Sequence, residues 1–187
     1  MQVFKTLFTY LVLVTFLTGC NKKVYNGKEY RVYTIKKHYS NHGIKKIGNN
    51  LSGSALFDSS AIYDLNGYDQ INKLIGIGSS KHHENSIRIG WRCINEQIEL
   101  FAYSYYKGVK TESYMCTVEV NTNIDFNISM NNGMSIDLTT SNGSYNWNSL
   151  DTVEDGSRWL LFPYFGGQME YPNDTGYHRL KIYIALD

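Results

Sequence analysis

The sequence predicts an all-β fold, an antiparallel β-sandwich of two sheets with jelly-roll character. Short runs of alternating apolar and polar residues recur along the chain, and Gly, Asn, Asp and Ser separate them. The chain of 187 residues contains 16 Tyr and only 2 Pro, and aromatic residues favour the pleated, half-buried surface of a strand. No long segment shows the 3.6-residue apolar period of a helix.

The alternation places ten strands, and the segment 61–72 between two of them is the best candidate for a short helical turn. The last predicted strand alternates almost without interruption, so one of its faces must be buried. The predicted strands are Arg31–His38, Ser54–Phe57, Lys73–Ile77, Ser86–Cys93, Gln97–Tyr106, Glu112–Val120, Ile124–Met130, Ser135–Thr139, Arg158–Phe162 and Tyr177–Leu186.

The first twenty residues have the features of a secretory signal. Lys5 precedes an apolar stretch, Leu7–Phe16, of about ten residues. This is too short for a transmembrane helix, which needs about twenty, and it fits the apolar region of a signal peptide. It is followed by Leu17-Thr18-Gly19-Cys20, which resembles the lipobox of bacterial lipoproteins. The resemblance implies a diacylglycerol on the Cys20 thiol and cleavage before it; an ordinary secretory signal with a chance cysteine is the alternative.

The predicted organisation follows from that signal. Residues 1–19 are expected to form a lipoprotein signal peptide, residues 20–30 the lipidated N-terminus and linker, and residues 31–187 the β-sandwich domain. We expect a lipoprotein of the bacterial cell envelope, held to the membrane through Cys20 and placed in the outer membrane rather than the inner one.

The charges are distributed unevenly. The segment 21–46 holds eight Lys or Arg and a single acid, Glu29, whereas the rest of the mature chain is acidic by about seven charges. A basic stretch beside a lipid anchor is attracted to anionic headgroups by about 1 kcal/mol per residue, and a solvated tether is the alternative. Nucleic acid is not expected as a partner, because the basic residues lack a predicted folded frame and the remaining body is acidic.

The central block predicts a candidate binding face. Side chains alternate across a strand, so Trp91 and the neighbouring Ile residues point to the core while Arg88 and Arg92 point away. The next strand places Tyr103 and Tyr105 on that same outer face, which we expect to be exposed to solvent. A face of this composition is not needed for folding.

Two further segments flank the predicted face. His82 and His83 lie in the long link before Ser86, and this link is an exposed polar loop, a pair of metal ligands or a ligand-contacting loop. Pro163 begins a segment that either fills the sandwich rim with aromatic side chains or places Tyr164 and Gln168 at the mouth of a groove. The candidate ligand-binding residues are Arg88, Arg92, Tyr103, Tyr105, His82, His83, Tyr164 and Gln168; no metal and no cofactor are predicted.

The cysteines that follow Cys20 are Cys93 and Cys116. Three consecutive strands with short links predict a meander, which places a strand between the two cysteines. Strands two positions apart are separated by about 9 to 10 Å, beyond the Cα separation of about 7 Å that a disulfide tolerates. We therefore expect both thiols to be reduced and at least partly buried.

From about Lys73 onward the chain resembles a group of small lipoproteins of Bacteroidetes-type bacteria with a concanavalin-like jelly-roll domain. The segments that carry the resemblance are SSKHHENSIRIGWR, YKGVKTESYMCTVEV and LFPYFGG. Fold relatives of such domains include lectins, glucanases and polysaccharide lyases. The alginate-lyase-like members carry an Arg-x-Glu-x-Arg strand, whereas the segment Arg88–Arg92 here keeps both arginines and lacks the Glu.

These observations predict a protein that binds a polysaccharide on its Arg/Tyr face without catalysis. Aromatic rings stack on the CH faces of sugars, and Arg pairs with carboxylate or hydroxyl groups. A polysaccharide lyase or hydrolase that uses the same groove is one alternative. A structural or interaction module without a small ligand is another.

Overall fold

The computed structural model describes residues 22–36, 38–40, 42–63, 70–154, 156–166 and 180–187. Within these ranges fourteen strands form two antiparallel sheets. The predicted all-β sandwich is therefore confirmed. Cys20, the predicted signal peptide and Gln168 lie outside the described residues. Residues 64–69, in the segment expected to contain a helical turn, also lie outside them.

The larger sheet has eight strands among the described residues. Its order is β1-β2-β14-β5-β10-β11-β12, and β3 pairs with β2 outside this path. The strands are β1 (Lys22–Tyr25), β2 (Lys28–Lys36), β3 (Tyr39–Ser40), β5 (Asn50–Phe57), β10 (Ile124–Met130), β11 (Met134–Thr140), β12 (Gly143–Ser149) and β14 (Leu180–Leu186).

The smaller sheet has six described strands in the order β4-β13-β6-β7-β8-β9. Its last four members follow one another along the chain, as the predicted meander requires. The strands are β4 (Lys46–Ile47), β6 (Asn72–Gly78), β7 (Ser86–Ile94), β8 (Gln97–Tyr106), β9 (Val109–Val118) and β13 (Arg158–Leu161).

The core lies between the two sheets and uses the predicted phase of the strands. Trp91, with its flanking Ile residues on β7, is fully buried and packs against Phe57 of the opposite sheet, with ring centroids 4.9 Å apart. Burying an Ile or Leu side chain contributes about 1.5–3 kcal/mol. Cys93 and Cys116 are both free and buried in this core, with β8 between their strands, as expected.

The N-terminal segment differs from the expected linker. Residues 22–30 already belong to the larger sheet, because β1 and β2 form a hairpin with Tyr25 opposite Lys28. Asn26 and Gly27 connect them with φ of 48° and 78°, and Asn-Gly is the dipeptide that tight hairpin turns favour. The Asn-Gly dipeptide is a local indication of this hairpin, whereas the basic residues around it are typical of a solvated tether.

Smaller differences concern short or polar elements. A 3₁₀ helix at Ser59–Ala61 ends at the first residue of the segment expected to contain a helical turn, and Asp58 caps it by accepting a hydrogen bond from the Ser60 N–H. The edge strand β12 was not predicted, because its exposed positions carry Ser and Asn rather than the usual strand formers. No helix in the described part of the chain is long and apolar enough to span a membrane.

Candidate ligand-binding cleft

The outer face of the six-stranded sheet, the side turned away from the core, carries a cleft of about 1060 Å³. Strands β6 to β9, the loop between β6 and β7, and the segment after β13 all contribute to its walls. It brings together seven of the eight residues predicted to contact a ligand: His82, His83, Arg88, Arg92, Tyr103, Tyr105 and Tyr164.

The register of the sheet explains why these side chains meet. Residues directly opposite each other in an antiparallel pair point to the same side. Arg88 of β7 lies opposite Tyr103 of β8, and Tyr103 lies opposite Glu112 of β9. In the same way Tyr105 lies opposite Lys110. Two transverse rows of polar and aromatic residues therefore cross the cleft.

The tyrosines of this face are packed separately from the core. Tyr103 forms a small cluster with Ile71 and Phe101, against which the half-buried Tyr105 packs. Tyr103 is only 6% exposed. The expectation of a face open to solvent is therefore wrong in this respect: the face lies outside the inter-sheet core, but it is recessed.

Glycines on two strands make the recess possible. A Cβ atom at Gly76 would lie 2.7 Å from Cγ of Arg88, and one at Gly90 would lie 2.5 Å from Cγ2 of Ile71. Both distances are shorter than van der Waals contact allows. The Arg88 stem can therefore lie across the backbone of β6 only because position 76 carries no side chain.

Arg88 is one of two cleft residues with a buried polar atom that is unsatisfied. Its Nε is buried and has no hydrogen-bond partner among the described residues, and the same holds for Oε1 of Gln70. Burial lowers the pKa of Arg88 to about 10, although the nearby Tyr103, Tyr105 and Tyr164 oppose this shift. The guanidinium is thus still charged at neutral pH, and its Nε–H lacks the partner that a buried donor normally requires.

Lys73 lines the same cleft as Arg88, although it was not among the residues predicted from the sequence. It is 9% exposed, and its Nζ donates hydrogen bonds to the carbonyl oxygens of Ile71 at 2.7 Å and Gly166 at 3.4 Å. Nζ also lies 4.5 Å from the centroid of the Tyr103 ring, a cation–π distance. Burial, together with the charge of Arg88, lowers the pKa of Lys73 to about 8.

A β-bulge explains why Lys73 escaped prediction. Strict alternation along β6 would place Lys73 on the core side, together with Ile75 and Ile77. The pairing of β6 with β7 shifts between Lys73 and Ile75, and this irregularity turns Lys73 to the outer face, opposite Gly90. Such an insertion leaves no reliable mark in a single sequence, although a lysine in an otherwise apolar strand is an indication.

The other charges of the cleft are paired. Nε of Arg92 donates to the Glu99 carboxylate at 2.6 Å, and the Arg92 guanidinium lies 5.0 Å from the Phe101 ring centroid. Lys110 forms an ion pair with Glu112 at 2.9 Å. Arg92 was predicted as a site residue, whereas Lys110 and Glu112 were not. Since β9 starts at Val109, Lys110 lies outside the strand that was predicted there and Glu112 is its first residue.

The histidine loop forms one end of the cleft. The His82 and His83 rings lie 4.2 Å apart, and His83 meets Tyr105 edge to face at 5.5 Å. Burial, followed by the charges of Arg88 and His83, lowers the pKa of His82. No group of three or more His, Cys, Asp or Glu that could hold a metal occurs among the residues that the structure describes.

Tyr164 lines the cleft from the segment after β13. The backbone of Tyr164 pairs with that of Lys73 through hydrogen bonds of 2.8 and 2.9 Å, beyond the point where β13 has separated from β6. The Gly166 N–H donates to Oδ1 of the buried Asn72 at 2.7 Å, which fixes the turn. Of the two residues predicted at the groove mouth, Tyr164 is placed there and Gln168 is outside the described ranges.

Comparison with known proteins adds little to this picture. No family model matches the chain, and no curated protein matches it in sequence. Among solved structures it is similar to the carbohydrate binding module CBM66 from Bacillus subtilis, at 10% identity and a TM-score of 0.36, over 89% of this chain and 90% of that chain. A similarity at this level carries no argument about the ligand, which must come from the cleft itself.

Proposed function

We propose that this chain is a lipoprotein of the bacterial cell envelope whose β-sandwich binds a glycan in the cleft without cleaving it. The observation that carries the proposal is the cleft itself. It joins the rings of Tyr105 and Tyr164 to hydrogen-bond donors on Arg88 and Lys73, in a recess on the six-stranded sheet.

This combination suits a sugar chain better than an apolar ligand. Sugar rings offer CH faces that pack on aromatic side chains and hydroxyl groups that accept hydrogen bonds from charged donors. The cleft is polar over much of its wall, and four of its lining residues are Lys or Arg. Such a site recognises a polar ligand through several directed contacts.

Binding without cleavage is proposed because of the carboxylates present. Most glycoside hydrolases use two carboxyl groups on either side of the bond that they break. Among the described lining residues Glu112 is the sole carboxylate, and it is paired with Lys110. A lyase or hydrolase in this cleft remains the competing function, and the assay below tests it.

The envelope location rests on the first twenty residues, which lie outside the described ranges. Since β1 begins at Lys22, a lipid on Cys20 would hold the edge of the larger sheet close to the membrane. Lys22 and Lys23 of β1, with Lys28 and Arg31 of β2, would then lie near the headgroups, where each basic residue contributes about 1 kcal/mol with anionic lipids.

A glycan array followed by calorimetry tests the binding function. We expect the full chain to bind at least one polysaccharide class and Tyr105→Ala to weaken that binding about tenfold or more, because stacking on this ring is lost. Tyr114→Ala is the matched control: Tyr114 is on the same sheet, is 57% exposed and does not line the cleft. Equal losses in both variants, or no binding to any glycan, would contradict the proposal.

The absence of cleavage is tested on the same glycans. We expect no new reducing ends and no absorbance from unsaturated products after prolonged incubation. Appearance of reducing ends would make the chain a hydrolase, and unsaturated products would make it a lyase.

The anchor is tested with Cys20→Ala. The wild-type chain should sediment with the membrane fraction and the variant should not, because the lipid chains provide the anchoring. Membrane retention of the variant, or a mature chain that still begins at Met1, would contradict the lipoprotein assignment.

A further inference from the structure

We propose that the base of the cleft is a subsite for an anionic sugar, whose carboxylate or sulfate group is held between Arg88 and Lys73. This inference rests on the proposed glycan-binding function and names the class of glycan. It follows from the pairing of charges in the cleft, from the packing around Tyr103 and from the unused donor of Arg88.

The charges of the described cleft divide into two kinds. Arg92 and Lys110, towards the sides, each have a carboxylate partner, Glu99 and Glu112. Arg88 and Lys73, at the base, have no ion pair among the described residues. The base of the cleft is therefore locally positive, and the excess is confined to two side chains.

Tyr103 brings these two cations together. Arg88 lies directly opposite Tyr103 across the β7–β8 pair, and Nζ of Lys73 lies over the Tyr103 ring. The charge of Arg88 is close enough to contribute to the lowered pKa of Lys73. Two like charges beside the same tyrosine destabilise each other, and an anion placed between them removes that repulsion.

The fold does not need this arrangement. A buried donor without a partner and a buried cation without an ion pair both reduce stability. The contact of Lys73 with the Tyr103 ring partly stabilises the buried ammonium group. In contrast, nothing among the described residues satisfies Nε of Arg88. A ligand that offers acceptor oxygens at this point would complete the site.

The donor geometry fits a planar or tetrahedral oxyanion. A guanidinium can offer two parallel N–H groups to the two oxygens of one carboxylate, and an ammonium adds a point charge. The hydroxyl groups of Tyr103 and Tyr105 lie 3.4 Å apart beside them and supply further donors. The sugar ring that carries the anionic group would then rest towards Tyr105 and Tyr164.

Matched pairs of oligosaccharides test the subsite by calorimetry on the full chain. The pairs are oligogalacturonate with its methyl ester, hyaluronan oligosaccharide with its carboxyl-reduced form, and chondroitin sulfate with its desulfated form. We expect at least one anionic member to bind ten times or more tighter than its partner. A preference within the first two pairs identifies a carboxylate, and a preference within the third pair alone identifies a sulfate.

Variants assign the preference to the two cations. Arg88→Gln and, independently, Lys73→Met should reduce the preference for the anionic member to less than about threefold. Arg31→Gln should leave it unchanged, because Arg31 is an exposed arginine on β2 of the other sheet. If Arg88→Gln fails to fold, the Lys73→Met result decides, because Lys73 contributes to the same locally positive site.

The outcomes separate this inference from the function on which it rests. Equal binding of the members of every pair would overturn the anionic subsite and leave glycan binding in place. A preference that survives both variants would also overturn it. No binding of any charged or neutral glycan would overturn the proposed function, and the subsite with it.

Discussion

Both sheets carry tyrosines and basic residues on their outer faces, but the two groups are built differently. On the larger sheet Tyr30, Leu56, Tyr183 and Ala185 form a buried group, which we call the tyrosine cluster. On the smaller sheet Tyr103, Tyr105, Arg88 and Lys73 lie in the cleft. The same residue types therefore occur twice on outward-facing surfaces.

In the tyrosine cluster each polar end has a partner. The hydroxyl of Tyr183 donates to the Asp58 carboxylate at 2.6 Å, and that of Tyr30 donates to Asn123. Lys28 donates to Ser54, and Lys23 lies 4.6 Å from the Tyr183 ring centroid. These contacts stabilise the N-terminal hairpin on the sheet.

In the cleft the polar ends are only partly used. The Tyr103 hydroxyl has one long contact, to Tyr105 at 3.4 Å, and Nε of Arg88 has no partner among the described residues. The comparison indicates that burial of tyrosines and cations does not by itself mark a binding site. What distinguishes the cleft from the tyrosine cluster is hydrogen-bonding capacity that the fold has left unused.

The largest expected difference concerns the removal of a tyrosine ring. Tyr30→Ala should reduce the free energy of unfolding by about 3–5 kcal/mol, because Tyr30 is fully packed and leaves a cavity. Tyr105→Ala should cost about 1 kcal/mol or less, since that ring borders the open cleft. Denaturant unfolding of both variants measures the difference, and equal losses would remove the distinction between the two surfaces.

The hydroxyl groups provide a sharper test of the same difference. Tyr183→Phe should cost about 1.5–3 kcal/mol, because it removes a hydrogen bond to a charged carboxylate. Tyr103→Phe should cost less than about 0.5 kcal/mol, since its hydroxyl contact is long. A large loss for Tyr103→Phe would show that the cleft hydroxyl serves the fold.

The Asp58–Tyr183 bond also predicts a pH dependence. Burial opposes ionisation of Asp58, but hydrogen bonds from Ser60 and Tyr183 and the charge of Lys181 lower its pKa below the ordinary value of 3.8. The stability that this group contributes is present above pH 3.8 and is lost as the pH falls through the pKa of the folded state. The cost of Tyr183→Phe, measured by unfolding at pH 7 and at pH 2.5, should therefore shrink in acid; an unchanged cost would contradict the charge-assisted bond.

Lys73→Met is expected to stabilise the protein. Lowering the pKa of this lysine from 10.5 to about 8 corresponds to about 3 kcal/mol at 1.36 kcal/mol per unit, and the lost hydrogen bond to Ile71 offsets part of it. We expect a net gain of about 1–2 kcal/mol in denaturant unfolding. A loss of stability would place Lys73 among the residues that hold the fold together.

Lys73 also makes the stability of the protein depend on pH in alkaline solution, and this effect is expected to be smaller. Its pKa is lowered in the folded state, so the unfolded chain binds more protons between about pH 8 and pH 10.5, and wild-type stability rises over that window. The titratable and charged groups that face Lys73 are Arg88 on β7, Tyr103 on β8, Lys110 and Glu112 on β9, and Tyr164 after β13. The stability gap between Lys73→Met and wild type should therefore narrow between pH 8 and pH 10, and a constant gap would contradict the buried charge.

The sequence predicted the architecture and much of the cleft for one reason. The period of a strand is two, so the phase of Trp91 fixed the outward direction of Arg88 and Arg92 before any contact was known. The recess depended on features outside that period: the bulge that turns Lys73 outward, and the close approach of strands at Gly76 and Gly90. Neither leaves a periodic signal.

The domain boundary was misplaced for a different reason. The Asn26–Gly27 dipeptide is a local signal for a hairpin, but the surrounding lysines have the composition of a solvated tether. The partners that fix this hairpin, Asn121 for the Tyr25 hydroxyl and Asn123 for that of Tyr30, are about 95 residues away in the sequence. Contacts at such separation cannot be inferred from one sequence.

The central claim is that the cleft binds a ligand and the tyrosine cluster does not. NMR spectra of backbone amides and arginine side chains, recorded while the tightest-binding oligosaccharide of the glycan panel is added, test it most directly. The account predicts that the Nε–H signal of Arg88 and the amides of Tyr103 and Tyr105 shift with saturation, while those of Tyr30 and Tyr183 stay in place. Shifts centred on Tyr30 and Tyr183, with an unchanged Arg88 signal, would contradict it.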